Sequence, residues 1–139
     1  MGPGSTGRTV ACFVRNQILH LINAEDTWFS ELRGAEPSEP STPAGFDDRK
    51  IIRAHWDGLE QRIRAYLAEL QDDTLFDRPI KEPEEDQDLV VWQVLLHVVN
   101  HGTDHRAQLL RMLSDLGVKT SSQDYIFYVY DHGMPASTE

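Results

Sequence analysis

Apolar residues return at helical intervals through three long stretches of the chain. Over residues 8–33, Val10, Phe13, Val14, Ile18, Leu21, Ile22, Trp28, Phe29 and Leu32 recur every three or four positions, the period of a helix that turns one side to a core. Gly34 stands where such a helix would take a left-handed cap. Residues 34–46 then hold three prolines among Ser, Thr and Gly, so they form a loop that sustains neither helix nor ladder bonds. A second helix opens at Asp47 or Asp48, whose carboxylates suit a helix N-terminus. Its buried stripe is Ile51, Ile52, Trp56, Leu59, Ile63, Tyr66, Leu67 and Leu70, and it ends before Asp72 and Asp73. Pro79 and Pro83 break the acidic stretch 77–88 into another loop, and Asp88 is placed to cap a third helix over 89–116, which Gly117 stops. Beyond it, the run from Tyr125 to Tyr130 fits either a short helix capped by Ser121 or Ser122 or an extended strand, because its aromatic and β-branched residues suit both.

The predicted architecture is therefore all-α, one helical bundle over residues 8–132 between flexible termini at 1–7 and 133–139. A length of 139 residues is enough for a single continuous core. The first helix raises a difficulty, since its apolar residues spread over more than half its circumference: Leu19 lies far round from Val14 and Leu21. Such a helix needs neighbours on several sides. Either the C-terminal segment covers it or a second copy of the chain does, and the pattern favours a homodimer.

Charge and cysteine usage narrow the partners. Thirteen basic residues against 23 acidic ones give a net charge of -10 with no basic cluster, a surface that repels phosphate backbones and anionic lipid. Nucleic acid and membrane are thus excluded as expected partners. Cys12 is the only cysteine, so no internal disulfide forms. No apolar run approaches the roughly 20 residues needed to cross a bilayer, and no leader pattern opens the chain; the expectation is a cytoplasmic protein.

The chemistry-bearing motif is LLHVVNHGTDHRAQLL, where His97, His101 and His105 follow one another at intervals of four, half of the six histidines in the chain. At 1.5 Å per residue His97 and His105 stand about 12 Å apart, whereas a metal–nitrogen bond is about 2 Å, so the three cannot share one ion. Two histidines four apart on a helix can, if a third ligand comes from elsewhere. The histidine sector, which also holds Gln108 and Val94, borders the apolar arc of Val91, Leu95, Val98, Leu109, Met112 and Leu113. An ion there would sit between helices. Histidines at such a border are also commonly satisfied by a carbonyl or carboxylate alone. Third-ligand candidates are His20 and His55, with Glu25 and Asp26 as oxygen donors; His55 falls inside the stripe of the second helix, and periodicity leans slightly toward it.

The segments LLHLINAEDTWFSELRG, HWDGLEQRIRAYLAEL, VWQVLLHVVNHGTDHRAQLLRML and DYIFYVY, in that order, resemble the DinB/YfiT-like family of metal-binding helical bundles. NHGTDHRAQ is the most specific part, similar to the family signature Asn-His-x-x-x-His-Arg-Gly-Gln, with Ala107 in place of the glycine. The resemblance implies a divalent ion, zinc or nickel with iron or manganese as alternatives, held by His20, His101 and His105. It leaves His97 as a residue lining the pocket and His55 as a packed or surface histidine. It also implies that the first of the family's four helices is absent here, which agrees with the over-apolar first helix.

A three-histidine site leaves positions open for a reacting group. The resemblance implies a metal-dependent transferase or hydrolase in which a low-molecular-weight thiol or water attacks a small electrophile. A hydrolase needs a carboxylate general base as well. Glu25, Asp26 and Asp104 are the catalytic candidates, although each is more commonly just a solvated helix-face carboxylate. Trp92, Gln108 and Tyr128 are expected at the substrate cleft, against the alternative that aromatics at helical spacing are core. The competing expectation is a catalytically inert dimeric stress-response or binding module whose metal is structural or vestigial.

Overall fold

A computed structural model describes residues 4–46 and 48–133. Helix α1 spans Gly4–Arg33, α2 Arg49–Glu69, α3 Val91–Asp115 and α4 Tyr125–His132, with 3-10 turns at Asp73–Phe76 and Glu84–Asp86. No strand occurs among the described residues. The chain is thus an all-α bundle, and the ambiguous aromatic run at its end is helical.

Helix α1 lies between α2 and α3 and packs on both. Against α2 it buries Leu19 and Ile22, which meet Ile52 and Leu59 with Trp56 and Ile63 around them. Toward its C-terminal end Phe29 and Leu32 meet Ile80, Val91 and Val94, with Trp28, Tyr66 and Leu70 packed outside. The breadth of the apolar arc on α1 therefore has an explanation within one chain: two helices use two sides of it. The C-terminal segment does not cover it, since α4 makes no close backbone approach to any other helix among the described residues. Tyr125 and Tyr130 of α4 are 76% and 71% exposed.

The boundaries follow local chemistry, with three differences from the periodicity. Helix α1 already begins at Gly4, so residues 4–7 are helical rather than a tail; once a long helix exists, each further residue adds one bond at little cost. Asp48 caps α2 as expected, its side chain accepting from Lys50 N at 2.7 Å, while Asp47 lies outside the described residues. Asp88 does not cap α3; it sits 3.6 Å from Arg78, and the helix starts after Val90, whose N–H donates to Gln93 Oε1 at 3.0 Å. At α4 the N-cap position belongs to Asp124, not to Ser121 or Ser122. Gly117 closes α3 with φ at +78°, where a side chain would be strained. The expected flexible C-terminus beyond Gly133 and the first three residues lie outside the described residues.

The loop of three prolines is pinned to α1. Asn23 Nδ2 donates to Ser41 O at 3.0 Å, and Ser41 N donates back to Asn23 Oδ1 at 2.8 Å. Ile80, from the acidic loop before α3, enters the core beside Val91.

Candidate metal centre

Helix register and the α1–α3 contact bring His20, His101 and His105 to one place. One ligand nitrogen from each lies within 4.8 Å of the others. Ring centroids are 4.3 Å apart for His101 and His105, 4.4 Å for His20 and His105, and 5.2 Å for His20 and His101. Three nitrogens at about 2.1 Å from a tetrahedral ion stand about 3.4 Å apart, so closing the triad on an ion asks for a shift of roughly 1 Å or less at each ring. The donor set is all imidazole, which suits zinc, nickel, copper and iron. The triad could hold a metal ion.

Burial, and after it the neighbouring imidazoles of His105, His20 and His97, hold His101 below the ordinary histidine value of 6.5, with Asp104 opposing. At neutral pH His101 is therefore already in the unprotonated form that coordination requires. His105 is held by a polar partner on α1: its Nδ1 lies 2.8 Å from Gln17 Oε1. Gln17 is a site residue that periodicity overlooks. The only signal in the sequence is a polar side chain three residues before His20, on the same face of an apolar helix. Phe13, Asn16, Gln17, His20, His105 and Met112 line a cleft of about 290 Å³ that opens beside the triad.

The remaining expected site residues divide. Gln108 joins the centre, accepting from Gln17 Nε2 at 2.9 Å and donating to Asp104 Oδ2 at 3.4 Å. His97 stands next along α3, its ring 5.7 Å from that of His101 and edge-on to Trp28 at 5.0 Å, outside the ligand cluster. His55 packs against Phe46 at 5.0 Å, away from the triad. Trp92 is not at the cleft: nine residues before His101 it points about 180° away on α3, and it is solvent-exposed. Tyr128 is not there either, because it lies on the detached α4, stacked on His132 at 4.2 Å.

Of the carboxylates, Asp26 is a structural anchor. It is buried, accepts from Ser30 Oγ and Ser38 N at 3.2 Å each, and lies 3.8 Å from Arg62, so it ties the proline loop to α1. Glu25 faces α2, where Trp56 Nε1 donates to it at 3.2 Å. Burial pushes the Glu25 carboxyl above its ordinary 4.5, against the lowering effects of that bond and of Arg106. The sign follows directly: the charged form is disfavoured in the fold, so this group's contribution is best below pH 4.5 and is lost as pH rises through the folded value. Glu25→Gln keeps an acceptor for Trp56 without the buried charge. Urea unfolding is expected to find this variant more stable than wild type at pH 7 and indistinguishable from it at about pH 4; a less stable variant at pH 7 would contradict the reading.

The signature segment around the pair is explained by packing. A Cβ on the buried Gly102 would stand 2.7 Å from Arg106 Nη1, so the bare glycine lets the guanidinium lie along α3, within electrostatic reach of Glu25. Ala107 is exposed, and its methyl group meets no crowding there.

A profile of the DinB family matches residues 5–135. The chain is a member of the DinB family. Searches among curated proteins and solved structures give no match. The DinB match spans α1 through α4, and so includes both helices that carry the triad and the detached aromatic helix. No described helix of this DinB protein is long and apolar enough to cross a membrane.

Proposed function

We propose that this DinB protein is a divalent-metal-dependent transferase that activates a low-molecular-weight thiol against a small electrophile, with His20, His101 and His105 as the ligands. The observation that carries the reading is the convergence of three imidazoles beside an open cleft, a set with fewer ligands than a sealed structural site uses. A zinc or nickel ion bound there would lower the pKa of a thiol or water at its open position and present the nucleophile at neutral pH. The chain's own residues do the rest. His101 needs no deprotonation at neutral pH, Gln17 orients His105, and Phe13 and Met112 offer apolar walls to the electrophile.

Thiol transfer is favoured over hydrolysis by the state of the carboxylates. Glu25 faces α2 and Trp56, and Asp26 is buried under Ser30 and Ser38, so of the three only the exposed Asp104, bonded by Gln108 through one oxygen, remains beside the triad as a candidate base. A thiol acidified by an ion needs no such base. The test supplies glutathione, bacillithiol or mycothiol with a model electrophile to zinc- and nickel-loaded protein. The expected result is a rate well above that of His101→Ala; equal rates would remove the enzyme.

The alternative, an inert dimeric binding or stress-response module with a structural metal, is favoured by α4. Its aromatic surface is exposed, as are Trp92, Leu96 and Val99 along one face of α3. Apolar surfaces of this kind are uncommon on monomers. Either reading includes a homodimer, so light scattering at low micromolar concentration is expected to give twice the chain mass of 15.9 kDa. A monomeric mass would remove the dimer from both.

A further inference from the structure

The centre contains a chain of hydrogen bonds that has a direction. Asp104 is a carboxylate and can only accept. Gln108, one turn along α3, must therefore turn its NH₂ toward Asp104, and this leaves Gln108 Oε1 to accept from Gln17 Nε2 across the α1–α3 interface. With its NH₂ so used, Gln17 presents Oε1 to His105 Nδ1. An amide oxygen accepts, so Nδ1 must carry the proton. The opposite arrangement would set an amide oxygen of Gln108 against the Asp104 oxygen, which is repulsive. One exposed carboxylate thus determines the orientation of two amides and the tautomer of an imidazole.

We propose that Gln17 is a positioning residue for the metal centre: through the Asp104, Gln108 and Gln17 relay it holds His105 as the Nδ1–H tautomer, leaving the Nε2 lone pair for the ion. Its ligand role rests on the metal reading of the triad, but the tautomer does not. A ring nitrogen that binds metal is typically selected by the hydrogen bond the other nitrogen makes. Gln17 also sits one turn before His20 on α1, so the same side chain that selects the nitrogen of His105 ties its ring to the helix supplying the third imidazole. No other protein group holds the Nδ1 side of His105 among the described hydrogen bonds.

The decisive comparison is wild type, Gln17→Leu and Gln17→Glu. Leucine, one bond shorter but of similar bulk, removes the acceptor, whereas glutamate restores it, and far-UV circular dichroism checks that all three are equally helical. Long-range ¹⁵N imidazole spectra of metal-free protein, near pH 8 where imidazoles are neutral, are expected to show His105 as Nδ1–H in wild type and Gln17→Glu, but not in Gln17→Leu. Zinc affinity, read by competition with a chromophoric chelator, is expected to fall roughly 10- to 100-fold in Gln17→Leu and to stay near wild type in Gln17→Glu. The proposal is overturned by an Nε2–H His105 in wild type, by a Gln17→Leu protein that binds zinc as tightly as wild type, or by a Gln17→Glu protein weakened as much as Gln17→Leu. Wild-type protein that takes up no zinc would end the metal reading instead, and the metal-free spectrum would still decide the tautomer.

Discussion

His101→Ala protein, purified without chelators or an affinity-tag histidine run, is expected to carry less than about a tenth of an equivalent of metal, where wild type carries close to one. His101 has one of the other imidazoles on its own helix, at 4.3 Å, and the other across the interface, at 5.2 Å. Its removal leaves His20 and His105, and two imidazoles fall short of the three protein ligands that an open site ordinarily uses. The loss in affinity should exceed the roughly 10- to 100-fold typical of an outer-shell change. Controls make the result specific. His55→Ala should retain full metal, because that ring packs on Phe46. His97→Ala should retain most of it, because His97 stands outside the cluster. Elemental analysis reads all three variants, and a metal-poor wild type or an unaffected His101→Ala protein would refute the site.

The largest effect on stability is expected at Leu59. Its side chain is fully buried at 0% exposure and, with Ile52 of the same helix, packs on Leu19 and Ile22 of α1, the contact that holds α2 to α1. Leu59→Ala removes that apolar volume from a site enclosed by helices whose backbones cannot collapse freely. The expected cost is about 2–5 kcal/mol, a large share of the roughly 5–15 kcal/mol that holds an ordinary domain folded. Urea unfolding measures it. Leu67→Ala, on the same helix at 44% exposure, should cost far less. Equal losses at the two positions would mean that the α1–α2 contact is not where the stability resides.

The candidate metal centre is only partly legible in the sequence. His101 and His105 stand out because a spacing of four is a local property of one helix. The third imidazole is not local. Periodicity leaned to His55, since a histidine inside an apolar stripe must face a core; it does, but the neighbour it meets there is Phe46. Resemblance to the DinB family named His20, and the α1–α3 packing places His20 with the pair. The aromatic character that suggests Trp92 and Tyr128 for the cleft says nothing of direction: one points to the far side of α3 and the other sits on a helix that makes no close backbone approach to the other helices among the described residues. Gln17 carries little sequence signal of its own, because a single amide on an apolar helix has meaning only once its partner is across the interface.

By itself the sequence determined what repeats within a few residues: the three long helices, the glycine that ends α3, the carboxylate that begins α2, the acidic surface and the paired imidazoles. These depend on backbone periodicity and on groups one turn apart. Tertiary structure alone decided which side of α1 meets α2 and which meets α3, that Asp26 holds a loop and not a reacting group, and that Gln17 meets Gln108 and His105 across the interface. Those outcomes depend on distances between residues up to 91 positions apart, as for Gln17 and Gln108, and only packing of the apolar faces sets such distances.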